Sequence, residues 1–512
     1  MSNVILAGGA LLLAALLAWL SQDGPGGPGR LDGLGSRDRG AHWARGRELT
    51  SLRGGSGQRK PRSLRNPIST RPGSKVAATD GASGGRLALG YRHGRLLRAE
   101  QRHALVVFGP PQSGKSAGLA IPALLEWEGP AIASSIKTDL LGATLKQRAK
   151  VGEALIYDPF QLAGVSSHGW SPLHSIKRWD DALEVAWRLA SAAEVDQRGV
   201  EGGDFWAVAA EQRLAPLLYA AAKSGAGIEQ VVAWAYGQRT RELDRTVESL
   251  GAEAEDDEQQ RDARSAYEAV ESFKAQADRT RTSIEATVQT LLRAYRFRQV
   301  VRSAASSEIT ADRLLSQNST LYLIGDPKAS KLLRPLFLAL LSEVVDRAYE
   351  LANEQGGRLK LPLLVCLDEA GNVAPLPNLG EVASTAPSHN IQLISIFHDL
   401  AQARSRYHGQ AETVVNSHRA RLLLPGVADL ETLRYFSGLA GEQERNELTR
   451  TTGKGGASRS SAPRRTPLIS PEALRQLPQG QALLLYGRLA PVKLRLRLWF
   501  RDRKLRGVGG EQ

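Results

Sequence analysis

An α/β fold, built on a mostly parallel sheet and split by a long helical insertion, is what this 512-residue sequence predicts. Three observations predict it. The octapeptide Gly109-Pro-Pro-Gln-Ser-Gly-Lys-Ser116 fits the phosphate-loop pattern GxxxxGK[ST] at every fixed position. The uninterrupted apolar run Leu363–Leu367 ends in Asp368-Glu369, as a buried parallel strand does when it brings acidic residues to the ligand edge of a sheet. Between them, residues 181–315 are dominated by Ala, Leu, Arg and Glu, with no β-branched run and with apolar residues at helical spacing (Leu214, Leu217, Leu218; Ile284, Val288, Leu291).

The phosphate loop has the flanks its chemistry requires. Ala104–Phe108 reads as a buried strand before it, and Ala117–Ile121 as a helix after it. Glycines let backbone N–H groups turn inward around phosphates, and a helix N-terminus adds positive potential. Gly109, Pro110, Gln112, Ser113, Gly114, Lys115, Ser116 and Ala117 are thus the expected ATP contacts, with Lys115 at the β- and γ-phosphates and Ser116 on Mg²⁺. Asp368 is expected in the Mg²⁺ shell, leaving Glu369 to polarise an attacking water. A Gly-rich chain can match the loop pattern by chance, and a strand ending in Asp-Glu is often only a solvated strand end. Together the two motifs favour hydrolysis. Pro122 is expected to end or kink the helix after the loop.

Net charge is +14, with Arg far outnumbering Lys, which suits a phosphate backbone or an anionic membrane face and also ordinary solubility. The single cysteine, Cys366, rules out an internal disulfide and suits a reducing compartment, and no Cys/His spacing suggests structural zinc. Val4–Leu20 is uncharged and almost wholly apolar. As a helix it would span about 25 Å, slightly short of a ~30 Å hydrocarbon core. A signal peptide would want a basic start, and a buried helix would be detached by the Gly/Pro run that follows. A membrane anchor is the reading adopted, and Arg30, Arg37, Arg39, Arg45 and Arg47 after it put the body in the cytoplasm.

The expected organisation is therefore a transmembrane anchor over 1–22, then a basic Gly/Arg-rich linker over 23–85 with a short ordered piece near His42-Trp43-Ala44. The first part of the nucleotide-binding domain covers 86–180, an all-helical inserted domain 181–315, and the second part 316–505. Expected strands are Ala104–Phe108, Ala131–Ala133, Ala154–Tyr157, Thr320–Ile324, Leu363–Leu367, Ile391–Ile396 and Arg421–Leu424. Ala482–Tyr486 and Val492–Phe500 suggest an edge pair, the second with Lys493, Arg495 and Arg497 on a basic face. Gly453–Pro467 reads as a mobile basic loop.

With these motifs in place, the chain resembles the coupling proteins of type IV secretion and conjugation, membrane-anchored ATPases of the TraG/TraD kind. The resemblance rests on Gly109 through Leu125, Ile136-Lys-Thr-Asp139, Tyr157-Asp-Pro-Phe160, Trp170-Ser-Pro-Leu173 and Asp204-Phe-Trp206. It continues through Leu367-Asp-Glu-Ala-Gly-Asn372 and Asn416–Pro425, and covers most of residues 40–500. It implies a RecA-like phosphate-loop NTPase domain with an inserted all-α domain, assembled as a homo-hexamer. It further implies that ATP hydrolysis feeds DNA together with its relaxase into a secretion channel; the DNA is expected to be single-stranded and, since the chain shows no sequence-reading motif, bound without sequence preference. Its setting would be the cell membrane, crossed once, with the bulk of the chain cytoplasmic.

Three departures stand out. The family commonly has two membrane helices, and one is apparent here. An arginine commonly follows the second motif, where this chain has Ala386-Pro-Ser-His-Asn390. The next strand often ends in a glutamine that senses the γ-phosphate, whereas here it ends Ile396-Phe-His398-Asp399. His398 is accordingly the expected sensor, and Arg404, Arg406, Arg419 and Arg421 are the possible replacements for the arginine, Arg406 first. Two alternatives stay open: a motor that moves protein only, and a membrane scaffold that binds ATP with negligible turnover.

Overall fold

The computed structural model describes residues 40–53, 85–197, 203–453 and 456–510. The expected anchor at Val4–Leu20 lies outside them, as does most of the linker. Among the described residues no helix is long and apolar enough to cross a membrane. Eleven strands form the main sheet: β1 (Ala88–Arg92), β2 (Arg95–Arg98), β3 (Leu105–Phe108), β4 (Ala131–Ser135), β5 (Ala154–Tyr157), β6 (Thr320–Ile324), β7 (Leu363–Leu367), β8 (Ile391–Phe397), β9 (Ala420–Leu423), β12 (Gln481–Tyr486) and β13 (Val492–Arg495). Their order is β2-β1-β13-β12-β9-β3-β8-β7-β4-β6-β5. From β9 to β5 every pairing is parallel; from β9 outward to β2 every pairing is antiparallel.

The parallel strands are mostly apolar and buried at nearly every position because both faces are covered. Alternate residues serve two cores. Val106 and Phe108 of β3, Leu321 and Leu323 of β6, and Leu363 and Val365 of β7 face a core shared with the helices Trp179–Gln197, Gly203–Lys223 and Pro327–Glu354. Leu105, Val107, Tyr322, Leu364 and Cys366 face the other way, toward Ile121–Glu126, Asp139–Val151 and the C-terminal segment with Leu496 and Trp499. Between β5 and β6 the described residues form helices and turns and no strand, and their apolar faces merge into the first core.

Several expectations need correction. Pro122 does not end the helix. Ser116–Ala120 forms a π turn in which the Ile121 N–H bonds the Ser116 carbonyl, and it runs on without a break into Ile121–Glu126, so the helix passes Pro122 with a local π distortion just before it. The β12–β13 pair is not an edge, because the β1–β2 hairpin lies beyond it. β13 stops at Arg495, so the alternation breaks there. Arg497 is buried, its guanidinium 2.6 Å from Glu126 and 2.7 Å from Asp502, rather than on a basic face. The described residues of 453–467 are extended rather than a loop: β10 (Glu442–Gly453) and β11 (Gly456–Pro467) pair as a separate two-stranded sheet. A backbone ladder needs no apolar side chains, so a polar, low-complexity sequence does not exclude one. The ordered piece of the linker is longer than expected: Ala44, Leu49 and Leu52 are buried, and Arg53 bridges to Leu97 of β2.

Candidate nucleotide site

The strand order sets the site. β8 lies between β3 and β7, so the C-terminal ends of three adjacent parallel strands present the phosphate loop, His398 and Asp368-Glu369 side by side. Gly109 follows β3 directly, and its N–H bonds the Phe397 carbonyl of β8. A Cβ at Gly109 would stand 2.5 Å from Ser113 Oγ and 2.9 Å from Leu424, so only glycine fits beneath the loop. Gln112 (φ 64°) and Gly114 (φ 90°) take left-handed backbone while Lys115 is helical. Such alternation turns successive amides into one concave, anion-binding cradle.

Lys115 and Ser113 are buried at the base of that cradle. Lys115 Nζ donates to Glu369 Oε1 at 2.6 Å. Ser116 Oγ donates to Asp368 Oδ2 at 2.6 Å, and the other oxygen, Oδ1, is buried with no partner among the described residues. Burial pushes the Asp368 carboxyl up to about 6, against the Ser116 hydrogen bond and the Lys115 charge. Burial also pushes Glu369 up, but the Lys115 ammonium and the His398 hydrogen bond outweigh it and leave that carboxyl below its ordinary value.

Glu369 is the most constrained residue here. Its backbone is left-handed (φ 69°), a conformation a long side chain adopts only when its surroundings hold it there. Its Oε2 accepts from Asn372 Nδ2 at 3.0 Å and lies 2.7 Å from His398 Nε2. For that short contact Nε2 must carry the proton, so the 3.5 Å approach of Lys115 Nζ to Nε2 is proximity rather than a hydrogen bond. The His398 N–H donates to Gln402 Oε1 at 2.7 Å, on a helix capped by Asp399.

All the sequence-predicted residues of the pocket therefore converge. Gly109, Pro110, Gln112, Ser113, Gly114, Lys115, Ser116 and Ala117 form the loop and its exit, with Asp368, Glu369 and His398 within side-chain reach. The predicted arginines do not join them in this chain. Arg404 is paired with Glu412 and Glu431, Arg419 stands 3.9 Å from Glu100, Arg421 donates to the Val415 and Asn416 carbonyls, and Arg406 lies half-buried on Leu400–Tyr407. Sequence reasoning gave no role to Asn372 or Gln402. Each had a signal: Asn372 is one turn from Glu369, and Asp399-x-x-Gln402 is a capping-box pattern.

The cradle fits a nucleoside triphosphate with Mg²⁺. Its inward amides and buried ammonium suit phosphate, and the unpartnered Asp368 oxygen beside Ser116 Oγ suits a hard cation. Among the described residues no group of three or more His, Cys, Asp or Glu could hold a metal alone, so phosphate and water would complete its shell.

Fold and cradle together define the class, an α/β protein of the phosphate-loop type. Within that class the chain belongs to the family described as type IV secretory system conjugative DNA transfer, whose profile matches residues 64–512. It is similar to the conjugal transfer protein TraG of Escherichia coli, 23% identical over 406 residues that cover 75% of this chain and 63% of that protein. It is also similar to VirD4 of Rhizobium rhizogenes, 22% identical over 416 residues covering 80% and 60%. The chain thus spans less than two thirds of the length of these relatives. Among solved structures, the unbound bacterial conjugative coupling protein TrwBdeltaN70 aligns with a TM-score of 0.58 at 19% identity, covering 79% of this chain and 87% of that one. The plasmid coupling protein TrwB in complex with ADP and Mg²⁺ aligns with a TM-score of 0.56 at 18% identity, covering 80% and 88%. At these identities the likeness is one of fold.

Proposed function

We propose that this chain is a membrane-anchored, ATP-driven coupling protein that brings DNA, with its relaxase, to a secretion channel. The observation that carries the reading is the convergence of Lys115, Ser116, Asp368 and Glu369, drawn from segments some 250 residues apart, on one buried cradle. In this reading the loop amides and Lys115 bind the phosphates, and Ser116 with Asp368 holds Mg²⁺. The ion supplies charge neutralisation on the phosphates. Glu369, held by Asn372 and His398, accepts a proton from water aligned on the γ-phosphate, and His398 senses that phosphate.

Lys115 is committed to Glu369 until a phosphate competes for it, so binding and release of the catalytic carboxylate are one event. The chain would work as a ring of six, as its family resemblance implies, with the helices between β5 and β6 as an inserted domain. Val4–Leu20 would hold that ring on the membrane with its bulk in the cytoplasm, and the cationic surface would bind single-stranded DNA without reading sequence. Titration with a fluorescent ATP analogue tests the cradle. Binding should require Mg²⁺ and weaken in Ser116→Ala and Asp368→Asn. Magnesium-independent binding unaffected by either substitution would refute the assignment.

A further inference from the structure

Six cations gather at one end of the main sheet. β13 runs parallel to β3, and β1 runs against it, so the β1–β2 turn lies at the N-terminal end of the parallel strands, opposite the phosphate loop. The chain also enters the fold there. The Ala44 N–H bonds the Pro491 carbonyl in the β12–β13 turn, and Lys493 Nζ sits 4.4 Å over the Trp43 ring. Arg92 donates to the Lys493 carbonyl at 3.2 Å, and Arg53 bridges to Leu97, so the three segments form one surface. Arg45, Arg47, Arg95, Arg488 and Lys493 are exposed on it, with Arg92 partly so. The carboxylates beside them are engaged: Glu48 with His42 and the Arg45 N–H, Glu100 with His103 and Arg419.

We infer that this surface docks on the anionic headgroups of a lipid bilayer. The inference rests on the anchor reading of Val4–Leu20. Only residues 21–41 separate that segment from His42. Even fully extended, 21 residues reach no more than about 70 Å, so an inserted anchor confines this end of the sheet to the neighbourhood of the bilayer. Cations brought within about 8 Å of an anionic leaflet are attracted without further ordering. The nucleotide edge then faces away from the membrane, toward the cytoplasm from which cargo and ATP arrive.

Energy transfer from a dye on Thr50→Cys to acceptor-labelled headgroups tests this in the full-length chain; the native Cys366 is buried. Transfer should rise about twofold or more when about a third of a neutral vesicle's lipid is replaced by phosphatidylglycerol, and fall back in about 0.5 M salt. It should also fall back in the triple variant Arg92→Glu, Arg95→Glu, Lys493→Glu, with nucleotide binding unchanged as the sign of an intact fold. Equal transfer in neutral and anionic vesicles would overturn the proposal. So would a triple variant that keeps its transfer and loses binding to a single-stranded oligonucleotide, which would assign the surface to nucleic acid. Alkaline carbonate washing reports on the anchor separately. Release of the chain, with the salt-sensitive lipid response intact, would refute the anchor and leave the docking surface standing.

Discussion

Replacing Glu369 by Gln should make the protein bind nucleotide more tightly while hydrolysing it more slowly. Without nucleotide, Lys115 Nζ is held 2.6 Å from Glu369 Oε1, and both side chains are less than a tenth exposed. A γ-phosphate must take the ammonium from that carboxylate. Glutamine keeps the shape and can still accept a hydrogen bond, but charge-assisted bonds are roughly twice as strong as neutral ones. The competing interaction therefore weakens by about 1–1.5 kcal/mol, and nucleotide affinity should rise about tenfold. Glutamine accepts no proton, so turnover should fall by about 10²-fold or more. Anisotropy with a fluorescent ATP analogue and phosphate release under single-turnover conditions measure the two quantities. Affinity that is unchanged or weaker would refute the latch between Lys115 and Glu369, and unchanged turnover would refute Glu369 as the base.

Further predictions follow from the same geometry. Lys115→Ala should remove nucleotide binding while leaving the circular dichroism and the cooperative thermal transition in place, since only the cradle loses a charge; retained hydrolysis would contradict the phosphate-loop assignment. His398→Ala should leave nucleotide affinity within a few-fold and reduce turnover, because the ring touches Glu369 Oε2 at 2.7 Å without reaching the loop amides; unchanged turnover in steady-state assays would make the ring structural. His418 should give the fold an acid-sensitive element. Buried between the Val414 carbonyl and Ser395 Oγ, its ring has its pKa lowered from the ordinary 6.5 to about 4 by burial. The unfolded chain takes the proton first, so this stability is complete above pH 6.5 and drains as pH falls toward 4. The full loss is about 3 kcal/mol at about 1.4 kcal/mol per pH unit. Denaturant unfolding of the wild type and His418→Gln at pH 7 and 4.5 checks it, and equal pH dependence of the two would refute the role.

Where a strand is buried on both faces, its sequence announces it. Leu321–Ile324 and Leu363–Leu367 are uninterrupted hydrophobic runs, and the structure places β6 and β7 over them. The antiparallel extension is harder to read. β2 is Arg-Leu-Leu-Arg, with no alternation that a short partly exposed strand would need, and β1 contains Gly90 at a bulge. Arg497 was misplaced because alternation was carried past the end of β13; the chain turns there, and Glu126, distant in sequence, claims the guanidinium. In the site, residue types and spacing identified Lys115, Ser116, Asp368 and Glu369. Their pairing was invisible, because it depends on β8 lying between β3 and β7. The packing of Leu496 and Leu498 against Gly114 was likewise unreadable from spacing.

Steady-state ATP hydrolysis by the full-length chain, with and without single-stranded DNA and with Lys115→Ala as control, tests the coupling reading most directly. The account predicts Mg²⁺-dependent hydrolysis that rises with DNA, loses that rise at higher salt, and vanishes in Lys115→Ala. Hydrolysis that survives in Lys115→Ala, or that is indifferent to DNA at low salt, would contradict it.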